Sequence, residues 1–267
     1  KWSKYMVLDA GGGTMDITVH KVERDGKLKK LHKATGGAWG GIAVDKAFQE
    51  FIIKLVGNIV FQKFSRQNIN DLLDMFRAFE VKKRETHLKK EFIVIFRNPI
   101  SLIQIFEDQT GKALKESICQ TEFSDKIKLH NDKLKVDSAI MKGIFLKSIQ
   151  SITHFVDGLL KSKQLEGVKS IIMVGGFSEC HMLQESIISR FPEITTIIPQ
   201  DAGLVVLKGA VIYGHNQDAI VQRVCRYTYG IAGAKAFIHG VHKEEYREET
   251  EVGPLRTNIF IKVVEAG

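Results

Sequence analysis

Two aspartates bracketing three consecutive glycines and a threonine, Asp9-Ala10-Gly11-Gly12-Gly13-Thr14-Met15-Asp16, carry the strongest chemical signal in the chain. Three glycines are a costly way to build a hairpin turn, because each loses more conformational entropy on folding than other residues do. A phosphate supplies a reason for them. With no Cβ in the way, the N–H groups of Gly11, Gly12 and Gly13 can turn inward as a concave nest for phosphate oxygens. The Thr14 hydroxyl adds a donor suited to a terminal phosphate. Asp9 and Asp16 beside a polyphosphate suit a Mg²⁺ ion held through its waters. Either carboxylate could also orient an attacking water, since phosphoryl transfer rests mainly on positioning and charge. The competing interpretation is a glycine-rich hairpin whose aspartates are merely solvated.

Two further constellations could hold the rest of a nucleotide. In Met173-Val174-Gly175-Gly176-Phe177-Ser178 an apolar run ends on two glycines and a helix-like stretch begins. Glycines there let the backbone press against a flat base or ribose, and a helix N-terminus favours anionic atoms. A Val-Gly-Gly turn serves purely structural ends as readily. Glu80, Lys83 and Arg84 are spaced to project from one helical face. They could clasp adenine and ribose by hydrogen bonds and cation–π stacking, or form local ion pairs on a solvated face. His239, His242 and Glu244 lack the further ligands of a metal site and read as surface residues. The absence of G-x-x-x-x-G-K-[ST], H-E-x-x-H and G-x-S-x-G excludes P-loop, zincin and hydrolase-elbow chemistry.

These residues need elements to hold them. Tyr5 to Leu8, Ile17 to Val22 and Leu28 to Ala34 form an antiparallel meander around the glycine turn and Asp25-Gly26. Apolar periodicity predicts helices over Val44 to Phe64 and Ile69 to Glu85, with Gly36 to Gly41 and Trp39 before them. Short β-like segments follow at Phe92 to Phe96, Ile127 to Leu129 and Leu134 to Val136, with a helix between the first two. Asp137 or Ser138 caps a long amphipathic helix that ends near Glu166-Gly167. Ile171 to Val174 is a buried strand, and a helix follows from Glu179 to Arg190. Strand, glycine turn and helix in that order mark the carboxyl end of a sheet strand, where α/β proteins bind ligands. Pro199 to Ile212 is another loop-to-helix entry, and the tail after Cys225 is β-like (Arg226 to Ala232, Asn258 to Val264).

The 267 residues are 44% hydrophobic and 26% charged, enough to bury a sizeable core. The net charge of +8 suits an anionic partner, but the basic clusters at Lys27 to Lys33, Lys82 to Arg84 and Lys89-Lys90 are short. Nucleic acid is supported by nothing beyond charge. Cys119, Cys180 and Cys225 are odd in number and without C-x-x-C spacing, against a disulfide framework or a zinc knuckle. No signal-like or membrane-length apolar segment is present, so the sequence reads as cytoplasmic or nuclear with no membrane role. A chain that opens almost directly on a buried-type strand has the pattern of a piece of a longer protein.

Taken together, the motifs resemble the actin-like ATPases, and among them the seventy-kilodalton heat-shock chaperones. Asp9-x-Gly-Gly-Gly-Thr14-x-Asp16 is similar to the second phosphate motif of that family. Ala34-Thr35, Gly40-Gly41 and Asp45 are similar to the segment that follows it, Glu80-Val81-Lys82-Lys83-Arg84 to the adenosine-contacting Glu-x-x-Lys-Arg, and Val174-Gly175-Gly176 to the adenosine motif. The order is collinear over most of residues 5–215. Gly-Gly-Phe-Ser, Ile198 to Asp201 and Leu207 to Val211 resemble the divergent branch called member twelve. The resemblance implies an α/β fold: a ribonuclease H-like lobe with a mixed sheet flanked by helices and an inserted α+β subdomain. It divides the chain into a core of 1–39 and 137–224, an insertion of 40–136 and a β-like extension of 225–267, with Arg226 to Ala232 resembling the start of a substrate domain.

The implied function is binding of ATP or ADP with Mg²⁺ for a chaperone ATPase. Asp9, Thr14 and Asp16 would be catalytic, with Asp9 and Asp16 on the metal through water. Gly11, Gly12, Gly13, Thr14, Gly40, Gly41, Glu80, Lys83, Arg84, His87, Gly175, Gly176 and Phe177 would contact the nucleotide. The implied partners are the first lobe of the same protein and client or co-chaperone proteins. The first phosphate motif does not occur in the chain, so the parent protein is expected to hydrolyse ATP weakly and this chain alone to be inactive. The alternatives are a nucleotide-sensing scaffold with little hydrolysis and a sugar kinase of the same superfold. Three departures bear on the site: Phe177 and Glu179 replace the family's Ser and its adenine-stacking Arg, and His87 replaces a Ser.

Overall fold

The computed structural model describes residues 4–215, 220–222, 225, 227–251 and 253–265. The meander forms as the turn chemistry dictates: β1 (Lys4–Ala10), β2 (Met15–Val22) and β3 (Leu28–Gly37) pair antiparallel. Met6, Leu8, Met15, Ile17 and Val19 are fully buried, the alternation expected of strands with one face on a core. α1 (Gly41–Val56) and α2 (Asn58–Gln67) follow. The single helix expected over 44–64 is therefore two, because Gly57 takes φ 85°, a left-handed value that ends α1. α3 (Ile69–Glu85) has the expected bounds.

The chain continues with β4 (Ile93–Arg97), α4 (Ile100–Thr110), α5 (Leu114–Cys119), β5 (Ile127–His130) and β6 (Lys133–Asp137). The strands make a separate antiparallel sheet in the order β4-β6-β5. Phe48 of α1 stacks on Phe79 of α3 at 4.0 Å, with Phe96 of β4 beside them. Burying each such ring stabilises by about 1.5–3 kcal/mol. This cluster fixes the face of α3 that carries Glu80 and Lys83.

The Asp137 carboxylate accepts the Ala139 N–H at 2.7 Å and caps α6 (Ser138–Leu160). The helix ends at Leu160, earlier than expected, because a 3-10 turn at Lys163–Leu165 takes over the chain. Next come β7 (Val168–Val174), α7 (His181–Arg190), β8 (Thr195–Ile197), α8 (Val205–His215) and β9 (Ile220–Gln222). The helix expected from Glu179 starts at His181, since Gly176–Glu179 is a 3-10 turn and Cys180 is extended. The main sheet is mixed, in the order β8-β7-β1-β2-β3-β9, with β7 parallel to β1. β10 (Tyr229–Ala236), β11 (Arg247–Thr250) and β12 (Gly253–Val264) form a third, antiparallel sheet. Arg226 lies outside the described residues, so the likeness drawn at Arg226 to Ala232 is described only from Tyr227 onward. No helix among the described residues is long and apolar enough to cross a membrane.

Candidate nucleotide site

The parallel pairing of β1 with β7 sets the geometry of the site, because it brings the carboxyl ends of both strands, Asp9 and Val174, into register. The glycine loop leaves β1 there and the Gly175-Gly176 turn leaves β7. Gly175 sits at φ 86°, and a Cβ on it would lie 2.5 Å from the Ala10 carbonyl and 2.6 Å from Asp9 Oδ1. Its missing side chain therefore serves the close seating of the turn on β1. The expectation that Gly175 is bare to admit a base is corrected on that ground. Gly176, with nothing near its Cβ position, is the glycine that faces open space.

Gly40 has the matching role on the other side of the loop. A Cβ there would lie 2.4 Å from the Gly12 carbonyl and 2.5 Å from that of Gly11. Gly40 therefore packs under the loop and does not line the cavity. The N–H groups of Gly41 and Ile42 donate to those two carbonyls at 3.1 and 2.8 Å and fasten the loop to the start of α1. The Gly11 N–H donates to Thr14 O at 2.9 Å, so Gly11 closes the turn where an amide turned into the phosphate nest was expected. Among the described residues, the amides of Gly12, Gly13 and Thr14 donate no hydrogen bond within the chain. The remaining nest is theirs.

Asp9 and Asp16 are cross-strand partners. Burial, and then the charge of Asp16, push the Asp9 carboxyl above its ordinary range. Asp16 is exposed and accepts the Thr14 hydroxyl at 3.0 Å. Two facing carboxylates, one of them partly desolvated, with the Thr14 hydroxyl beside them, are a donor set that fits a hydrated divalent cation. Among the described residues no group of three or more His, Cys, Asp or Glu is placed to hold a metal directly, which leaves coordination through water as the arrangement these two residues suit. His239 instead pairs with Glu244 at 3.1 Å, and His242 Nδ1 accepts the Ile238 N–H.

A cavity of about 220 Å³ opens between the loop, α1, α3 and the turn after β7. Gly12, Gly41, Glu80, Lys83, Arg84, Gly176 and Phe177, all expected site residues, line it. Lys83 has only 6% of its side chain exposed and is held by Asp45 at 2.7 Å and by Glu80. Arg84 Nε donates to Glu80 at 3.1 Å and a terminal nitrogen donates to Glu179 at 2.8 Å. Burial pulls the Glu80 carboxyl upward, but the hydrogen bonds and charges of Lys83 and Arg84 outweigh it and hold the group below its ordinary value. Phe177 is 5% exposed and forms part of the core, so its ring is a fixed wall and is not free to swing over a base.

His87 is not part of this cavity. Thr86 leaves α3 in an extended conformation and turns His87 toward α7, where its ring bonds Glu185 at 2.6 Å and stacks on His181 at 4.5 Å. The expected nucleotide contact is replaced by a strap between α3 and α7, reinforced by Leu88 N–H donating to Glu185 at 2.8 Å.

Ile42, Asp45 and Cys180 line the cavity without having been expected to contact a ligand. Asp45 had a signal: it falls on the apolar stripe of α1 between Gly41 and Phe48, where a lone acid needs a partner. Cys180 had none. Its Sγ donates to the Lys83 carbonyl at 3.2 Å, and burial pushes its thiol up to about 11, so it is a structural and unreactive group.

No protein-family model matches the chain. It is 30% identical over 266 residues to human heat shock 70 kDa protein 12B, and 31% identical over 266 residues to heat shock 70 kDa protein 12A of human and of mouse. Each match covers 98% of this chain and 39% of the relative, so the chain spans about two-fifths of the length of these relatives.

Proposed function

We propose, from the premise that this chain is homologous along nearly its whole length to the heat shock 70 kDa proteins 12A and 12B, that it is a nucleotide-binding lobe taking ATP or ADP with Mg²⁺. The fold is a mixed α/β lobe of the actin-like ATPase type, and the relatives are named as heat shock 70 kDa proteins. One observation supports the reading above the rest. Residues from three separate stretches of the sequence, Gly12, then Glu80, Lys83 and Arg84, then Gly176, meet on one cavity although each of their motifs has a structural explanation by itself.

The roles follow from position. The free amides of Gly12, Gly13 and Thr14 would receive phosphate oxygens. Asp9 and Asp16 would hold Mg²⁺ through its waters, and the metal when bound supplies the positive charge that this end of the cavity lacks. Arg84, held by carboxylates at two of its nitrogens, presents a guanidinium suited to stacking on a purine. Glu80 would accept a hydrogen bond from a ribose hydroxyl, and Gly176 would leave room for the sugar or base. In the longer protein we propose that the bound nucleotide switches this lobe against its partner lobe and so regulates client or co-chaperone binding.

Binding of a fluorescent ADP analogue tests this. Wild-type chain is expected to raise its anisotropy in a Mg²⁺-dependent way, and Arg84→Ala is expected to weaken binding by about tenfold, as loss of one cation–π contact plus a charge would. Equal binding by the variant would remove the base from this cavity.

A further inference from the structure

The inserted subdomain carries a second concave surface that nucleotide binding does not use. In β5 and β6 the side chains alternate strictly: Ile127, Leu129, Leu134 and Val136 are buried, while Lys128, His130, Lys133 and Lys135 are exposed on the opposite face. The register sets Lys128 opposite Lys135 and His130 opposite Lys133, and on the other side of β6 it sets Arg97 opposite Lys133. Like charges facing each other across strands destabilise a sheet. Arg97 has a counter-charge in Asp132 at 3.1 Å. Among the described residues no ion pair engages Lys128, Lys133 or Lys135. A face that repels itself in this way gains stability from an anionic partner.

Next to it, at the edge strand β5, a cavity of about 420 Å³ lies between β5 and α5. Its floor is Ile118, Ile127 and Leu129, and Lys115, Lys128 and Lys135 line its rim; no acidic residue lines it. We propose that this lysine-rimmed cavity is a docking site for an acidic peptide segment of a partner protein, one that sets an aliphatic or aromatic side chain on the apolar floor and flanking carboxylates on the lysines. The floor residues are almost fully buried, beyond the reach of a flat bilayer, whereas a cavity of about 420 Å³ has the volume to take a single protruding side chain. The cationic surface runs past the cavity onto Lys133, farther than one small anion would need. No Phe, Tyr or Trp side chain lines the cavity as a platform for a nucleobase.

The test is fluorescence anisotropy with a labelled short peptide alternating glutamate and leucine, against the same peptide with serine for leucine. The wild-type chain and a control with Lys27, Lys29 and Lys30 changed to Gln are expected to bind the leucine peptide equally. The triple variant Lys115→Gln/Lys128→Gln/Lys135→Gln is expected to bind it about tenfold more weakly, and the serine peptide is expected to bind several-fold more weakly than the leucine one. Charge reversal of the same three positions to Glu, paired with a lysine–leucine peptide, is expected to restore binding and separates lost recognition from lost folding. Equal affinity of the triple variant and wild type overturns the proposal, as does equal binding of the serine peptide, which would mark a mere counterion field. Co-sedimentation with phosphatidylserine vesicles that the triple variant abolishes, without peptide binding, overturns it in favour of a lipid surface.

Discussion

The two ends of the proposed nucleotide cavity are built by different physics. At the phosphate end the backbone packs directly on backbone: Gly175 seats on Ala10 and Asp9, and Gly40 seats on the carbonyls of Gly11 and Gly12, with no room for a methyl group. At the base end a mesh of charges, Asp45, Lys83, Glu80, Arg84 and Glu179, holds α1, α3 and the turn after β7 together. Steric seating is all or none, whereas ion pairs are graded and exchangeable. Substitutions of the seated glycines at the phosphate end should therefore act through folding, and those in the charge mesh at the base end through affinity as well as stability.

The largest effect that separates the two ends is expected from Gly175→Ala. The added Cβ meets the Ala10 carbonyl at 2.5 Å in a left-handed conformation, and the loss should be about 3 kcal/mol or more in denaturant unfolding. A loss below 1 kcal/mol would mean that the two strand ends separate easily. Lys83→Met comes next. It leaves Asp45 and Glu80 facing each other beside a buried methyl, and a cost of about 2 kcal/mol is expected together with at least tenfold weaker nucleotide binding. Unchanged affinity with lowered stability would make Lys83 a purely structural cation.

Asp9→Asn should move stability and function in opposite directions. Its folded carboxyl is held above the ordinary value by burial and by Asp16, so the folded state favours the protonated form and the ionised group destabilises it. The penalty is absent below the ordinary carboxylate range and fully present above the raised value. The variant should thus melt higher at neutral pH, by up to about 1 kcal/mol, with the gain fading as pH falls through the carboxylate range, while Mg²⁺-dependent nucleotide binding is lost. A lower melting point at neutral pH would count against the repulsion. The smallest effect is expected from Glu179→Gln. The pair is partly exposed, so stability should shift by about 0.5 kcal/mol or less, while the less neutralised Arg84 should bind an adenine nucleotide two- to threefold more tightly, roughly the gain expected of a stronger cation–π contact. Titration calorimetry on the variant reads both signs.

The sequence made the phosphate end more legible than the base end, for a physical reason. Glycines between two strands mark a turn locally, and the bounds of α3 followed from its apolar spacing alone. The periodicity of 44–64 continued across Gly57, so only the φ of that one residue divides α1 from α2. Glu179 was visible as a departure, yet its bond to Arg84 spans 95 positions and depends on the fold. His87 shows the opposite failure. Its place after the Glu-x-x-Lys-Arg run pointed to the nucleotide, but the extended Thr86 carries it to Glu185. The role of Gly175 was likewise hidden, because the atoms that require a glycine there belong to β1.

Isothermal titration with ADP, in the presence and absence of Mg²⁺, on the chain and on Asp9→Asn, tests the central claim most directly. Saturable binding of the wild-type chain with an affinity on the order of 0.1–1 mM, dependent on Mg²⁺ and lost in Asp9→Asn, is the expected result. No heat of binding with Mg²⁺ present, or identical isotherms for the two proteins, would contradict it.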